Sequence, residues 1–256
     1  MIDNPVIRAL MAHRSIRSYT DALPSDEVVT TIVRAGQQAA FAYQLGSVLL
    51  SRKRERNPFH APLLFTICVD AHRIELIMER RGWKLASNDL HVLLFGTEDA
   101  IMMAQNMVVA AESLGLGTCY LGSAQYRTKA IAEEYNLPKR VFPVVALAAG
   151  YPAENPPPRP RYPLEFTLFE DHYPELDEAK VTQAMQAMDE GYLAQDYYRR
   201  SNVILPLEEG RKENFTFDNY SWTEHISRKL GQWSLSADEL LKQLAARGFN
   251  LPGQSR

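Results

Sequence analysis

The segment His13-Arg14-Ser15-Ile16-Arg17-Ser18-Tyr19 places two guanidiniums, an imidazole and a serine hydroxyl within five residues. Arginine forks match phosphate oxygens bidentately, and serine and backbone N–H groups complete such a cradle. The same residues would also serve as a basic helix C-terminus complementing the macrodipole. A second cationic pair, Arg159 and Arg161, lies in a proline-rich stretch. Alternation along an extended chain puts both side chains on one side, and a stiff arm loses little entropy on binding an anion. The plainer reading is a solvated linker. Between the two pairs, Tyr120-Leu121-Gly122-Ser123 closes an apolar run. Its glycine either lets the backbone approach a flat ring or turns the chain into a helix.

These residues need elements to hold them. Ile7, Leu10 and Met11 recur at helical spacing and end against His13, which puts the first cluster at a helix C-terminus. Ser25, Asp26 and Glu27 mark the start of a second helix, with Val28, Val29, Ile32 and Val33 as its buried stripe. Apolar runs at 47–51, 63–69, 118–121 and 144–149 are short, bounded by breakers, and read as buried strands. Thr97, Glu98 and Asp99 signal a helix running to Leu114. Ala, Met and Val on more than one of its faces suggest a central, mostly buried helix. Gly115 and Gly117 stop it, and a short helix follows at 130–135. The prolines at 152, 156, 157, 158, 160 and 163 enforce extended chain. Residues 176–200 and 221–247 then read as helical, with 201–220 irregular. Strands alternating with helices over the first 150 residues, followed by a helical tail, indicate a mixed sheet covered by helices.

Composition narrows the function classes. The chain has 256 residues, 46% hydrophobic and 23% charged, with a formal net charge of −3, which is enough to bury a core without staples. Mild acidity gives no reason to expect nucleic acid as a partner. The run Arg52-Lys53-Arg54-Glu55-Arg56 reads as a solvated surface. The two cysteines, Cys68 and Cys119, sit in apolar runs without ligand-spaced neighbours, so buried free thiols are expected and no metal site. Without a secretory pattern at Met1–Pro5 or a stretch of about 18 apolar residues, a cytoplasmic protein with no membrane partner is expected.

In order along the chain come His-Arg-Ser-Ile-Arg, then Met103-Ala104-Gln105-Asn106 leading to Ala110-Ala111-Glu112-Ser113-Leu114-Gly115-Leu116-Gly117. Tyr-Leu-Gly, Gly150-Tyr151-Pro152-Ala153-Glu154-Asn155-Pro156 and Arg-Pro-Arg follow, with Ser221-Trp222-Thr223-Glu224-His225-Ile226-Ser227-Arg228 near the end. This pattern resembles the flavin-dependent nitroreductase superfamily over almost the whole chain. It is most similar to the longer branch of oxygen-insensitive NADPH nitroreductases and NADPH–flavin reductases.

The resemblance implies an α+β, three-layer α/β/α fold in one domain, with a flavin-binding core at 1–165 and a helical extension at 166–256 that embraces a partner subunit. It assigns FMN to His13, Arg14, Ser15 and Arg17 at the phosphate and ribityl chain, and to Tyr120, Leu121, Gly122 and Ser123 against the ring. Arg159 and Arg161 approach from the second side. Gln38 and Ala39 fall in the family's second flavin segment, which here reads Gly36-Gln37-Gln38-Ala39-Ala40-Phe41 instead of a run of Ser and Asn. The stretch from Ser51 to Ala61 is shorter than in the branch. Arg199 and Arg200 match the place where the branch holds a nucleotide phosphate. The implied activity is electron transfer from NADPH or NADH to small aromatic acceptors by a homodimer, in a ping-pong scheme that needs no side-chain nucleophile. The alternatives are release of reduced FMN, or a flavin-binding redox sensor. No Gly-x-Gly-x-x-Gly follows a strand, so the nicotinamide cofactor has no Rossmann site of its own. The aromatics Tyr192, Tyr197, Tyr198, Trp222 and Trp233 suggest that the C-terminal region is interface.

Overall fold

A computed structural model of the chain describes residues 2–232 and 237–251. It divides into two compact units, one built from residues up to Pro156 plus the final helix, the other from Pro157 through the helix ending at Gln232. The final helix therefore returns to the first unit.

The first unit is organised by four strands, β1 (Gly46–Ser51), β2 (Leu63–Asp70), β3 (Gly117–Leu121) and β4 (Val141–Gly150), in the order β1-β2-β4-β3. Every pairing between them is antiparallel, so the expected mixture is confined to an isolated parallel bridge between Ser15 and Thr118. Side chains alternate across the sheet. Leu63, Phe65, Ile67, Val145, Leu147 and Ala149 face one side, where α2 (Asp26–Gln37) contributes Val29 and Ile32. α4 (Asp89–Ser113) adds Ala100, Ala104, Met107 and Val108 to the same core. Ser25 caps α2 as expected, accepting from Val28 N. The opposite sheet face carries Leu64, Ala148, Cys119 and Leu121 against Ile16 and Tyr19. Both cysteines are buried and free.

α4 departs from the sequence reading at its start. Asn88, not Thr97, is the N-cap, accepting from His91 N, and the helix begins two turns early. Gly96, inside this helix, is glycine because a Cβ there would meet Val69 Cγ1 at 2.6 Å. An 18-residue window of α4 is long and apolar enough to cross a membrane, which corrects the expectation that none was. The helix packs against β2 as a core helix instead. Its other side leaves Leu94 57% and Ile101 42% exposed, and α1 (Pro5–Met11) exposes Met11 and Leu10 likewise. Around α3 (Ala71–Arg80), Leu45, Val69, Val92 and Phe142 form a second core with Leu244 of α9 (Ala237–Ala246) and Phe249. α5 (Thr128–Glu134) follows β3.

The second unit comprises α6 (Glu178–Ala194), α7 (Tyr197–Ser201) and α8 (Trp222–Gln232). Tyr192, Tyr198, Tyr220 and Met188 form its core, with Tyr197 and Trp222 packed on them. They stack on one another, Tyr192 on Tyr198 at 5.9 Å and Tyr198 edge-on to Tyr220 at 5.1 Å. Trp233 lies outside the described residues.

Candidate functional site

α1 ends at Met11 and the chain leaves it extended, so the His13–Tyr19 segment is not helical but an added edge beside the sheet. Ser15 bridges Thr118 in parallel, Ile16 N donates to Thr118 O at 2.8 Å, and Tyr19 bridges Pro152. Ile16 is the anchor. It is 3% exposed, and Gly117 has no Cβ because one would lie 2.5 Å from Ile16 Cγ1. This tie sets the cations of the motif along the edge of β3, two residues and more beyond the end of α1.

Three carboxylates shape the site, and the sequence did not single them out for it. Glu112, in the last turn of α4, sits 2.7 Å from His13 Nδ1 and also accepts from Thr118 Oγ1 at 3.2 Å. A carboxylate only accepts, so Nδ1 carries the proton and Nε2 is left without a partner among the described residues. Glu154 accepts from the backbone N–H groups of Arg17 and Ser18. Asp99, 3% exposed inside α4, accepts from Ala42, Tyr43 and Leu45 N and holds the loop after α2. A buried aspartate in an apolar helix was the available signal for it.

The guanidiniums themselves are left open. Among the described residues Arg14 donates only to Pro156 O, at 3.4 Å, and it lines a cavity of about 260 Å³ with Glu112 and Glu154. Arg17 is exposed, near the Cys119 thiol, and forms no ion pair among the described residues. Burial pushes that thiol's pKa up, with Arg17 opposing, so Cys119 stays a neutral filler beneath the motif.

At the end of β3 the backbone, not the ring, is what is presented. Tyr120 turns its hydroxyl to Gln105 of α4 at 3.4 Å, and burial next to Glu112 pushes its pKa up to about 12. Leu121 packs on the opposite face, while Gly122 has open space where a Cβ would be and Ser123 is exposed. Ala39 lines a separate cavity of about 90 Å³ with Phe41, Asp99 and Met103. Gln38, the C-cap of α2, is exposed beside it. Within one chain this cavity shares no residue with the Arg14 cavity.

In the second unit, Arg159 donates to Gln195 Oε1 at 2.6 Å and lies 4.1 Å over the Tyr197 ring, while Arg161 folds back on the carbonyls of Arg159 and Pro160. Arg199 pairs with Asp196 and Asp218, whereas Arg200 is exposed and unpaired among the described residues.

Family models for the nitroreductase family and for its C-terminal domain match residues 47–151 and 159–252. The oxygen-insensitive NADPH nitroreductase of Salmonella typhimurium is 31% identical over 242 residues, covering 89% of this chain and 91% of that protein. The chain belongs to the nitroreductase family. It is accordingly an oxidoreductase with the nitroreductase fold. An FMN reductase [NAD(P)H] of Bacillus subtilis is 34% identical over 203 residues, 73% of this chain and 81% of that one. The solved structure of the hypothetical oxidoreductase YcnD from the same organism superimposes with a TM-score of 0.81 at 29% identity, over 97% of this chain and 99% of that chain.

Proposed function

We propose that this chain is an FMN-dependent NAD(P)H oxidoreductase that reduces nitroaromatics, quinones or related small acceptors. One observation carries the reading: Arg14 and Arg17 stand without carboxylate partners, on a segment fixed by Glu154 and by its bridge to Thr118. Two forked cations kept open on a rigid edge suit a phosphate dianion. The residues fit FMN on a second count, since Gly122 leaves open space beside a strand end. His13, Arg14, Ser15 and Arg17 hold the phosphate and ribityl end, and the backbone at 120–123 supports the ring. Arg159 and Arg161 supply further cations. Bound there, FMN would supply the hydride-transfer chemistry between the nicotinamide and the acceptor. The protein orients both partners.

A second copy of the chain completes the site. The Ala39 cavity and the Arg14 cavity are disjoint within one chain, and the exposed apolar faces of α1 and α4 are the surfaces a homodimer would bury. NAD(P)H, with no Rossmann site, stacks where the acceptor later binds, and Arg200 is the open cation for its phosphate. Two buried free thiols accord with a reducing, cytoplasmic setting.

Kinetics at several fixed acceptor concentrations are expected to give parallel double-reciprocal lines. Intersecting lines would show both substrates bound together and end the shared-face scheme. The related FMN reductase favours one further reading, in which reduced FMN is itself released. Ultrafiltration after anaerobic NADPH separates the two readings, as flavin stays with the protein in the first and leaves it in the second.

A further inference from the structure

The arm Arg159-Pro160-Arg161 is laid on the last turns of α6. Pro160 packs where Gly191 has no side chain, since a Cβ there would meet Pro160 Cγ at 2.6 Å. Four residues on, and so on the same helix face, Gln195 is the C-cap of α6. Its amide is used at both ends: Nε2 donates to Pro158 O at 2.9 Å, and Oε1 accepts from Arg159 Nη1 at 2.6 Å. The Arg159 guanidinium lies 4.1 Å over the centroid of the Tyr197 ring. That ring stands nearly perpendicular to those of Tyr192 and Tyr198, with centroids 5.3 and 5.0 Å away, and both neighbours are buried. Stacking sets the plane of the guanidinium, and the bond to Gln195 sets its rotation within that plane. Neither partner carries charge. An amide oxygen occupies one N–H and leaves the cation uncompensated, whereas a carboxylate in its place would neutralise it. Asp196, the adjacent carboxylate, is engaged by Arg199 at 3.0 Å.

We infer that Gln195 and Tyr197 are positioning residues for Arg159. They present its guanidinium at a fixed angle, with its charge intact, to an anionic part of the flavin, either the phosphate or the reduced ring. The inference rests on the reading of Arg159 as a cofactor-binding cation. An arginine already stacked and hydrogen-bonded loses less rotamer freedom on meeting an anion than one waving in solvent. Glutamine at 195 is then needed for its neutrality as well as its shape. The isosteric glutamate would compete with the flavin for Arg159 and set a second acceptor against Pro158 O.

The full chain tests this as Gln195→Glu, Gln195→Met and Tyr197→Leu, each with and without Arg159→Ala. Fluorescence quenching gives the Kd of FMN and of riboflavin, which lacks the phosphate, and anaerobic titration against a reference dye gives the midpoint potential. If Arg159 serves the phosphate, Gln195→Glu is expected to raise the Kd of FMN about tenfold and leave that of riboflavin unchanged. If it serves the reduced ring, Gln195→Glu is expected to lower the midpoint potential with both flavins. Gln195→Met and Tyr197→Leu are expected to move the same quantity by about a third as much. A packing role alone would give the reverse order, since glutamate is closer to glutamine in shape. All three effects are expected to shrink to near nothing once Arg159 is alanine. Unchanged affinity and potential in Gln195→Glu, methionine as harmful as glutamate, or effects that persist in full without Arg159 would each overturn the positioning role. Failure of the flavin reading gives a different result, an unsubstituted protein that takes up neither flavin.

Discussion

Arg228 and Arg17 carry the same guanidinium and are used in opposite ways. Arg228, 4% exposed in the second unit, is saturated: it donates to Glu213, Glu224 and Leu205 O and lies 5.0 Å over the Tyr220 ring. Its carboxylate partners raise its pKa further, so its charge is permanent. Arg17 has its backbone N–H fixed by Glu154 while its side chain is exposed without a carboxylate. A buried charge must be compensated inside the chain. An exposed one is free to be compensated by something else, so an arginine held at its backbone and open at its fork is poised for a ligand.

The sharpest test of this contrast is Arg228→Met. Removing one partner of a buried ion pair strands Glu213 and Glu224, and a loss of about 3 kcal/mol is expected, the low end for such a change because Glu213 is 43% exposed. Chemical denaturation reads it, and a loss below about 1 kcal/mol would remove Arg228 from the structural class. Arg17→Ala should do the reverse. Its cost to stability is expected to stay within about 0.5 kcal/mol, while FMN affinity falls by about 1.5–3 kcal/mol, or roughly ten- to a hundredfold. Unchanged FMN affinity would show that openness does not identify a ligand-binding arginine.

Smaller effects separate Arg199 from Arg200. Arg199 is occupied by Asp196 and Asp218, so Arg200→Ala is expected to raise KM for NADPH several-fold more than for NADH, with Arg199→Ala affecting neither. A reversed pattern would mean that surface pairing does not disqualify a cation. The mildest test uses pH. Hydrogen bonds from Arg228 hold the Glu213 carboxyl well below its ordinary value, at about 2. A depressed carboxylate contributes stability above its unfolded pKa, and that contribution is lost as pH falls from about 4.5 through about 2. The stability difference between the protein and Glu213→Gln should therefore shrink across that window. A constant difference would place the Glu213 contribution in packing, not charge.

Local chemistry was legible in the sequence wherever the physics is local. The Ser25 cap, the Val29 and Ile32 stripe, the four strands and the stop at Gly115 follow from neighbours within a few residues. The His13–Arg17 cluster was visible for the same reason, because its residue types and spacing are contiguous. The reason for a glycine at position 96 was not legible, since it is set by Val69 of a strand far away in sequence. Tertiary structure alone decided which charges are spent. It paired His13 with Glu112 across 99 residues and emptied three of the four cations of the 52–56 run into different elements, leaving Arg56 over. It also turned the C-terminal aromatics inward upon one another. A sequence fixes which groups exist and their local conformation. Whether a charge or a ring is satisfied within the chain depends on groups brought near only by folding, so only the folded chain separates the arginines that hold the protein together from those left open for what it binds.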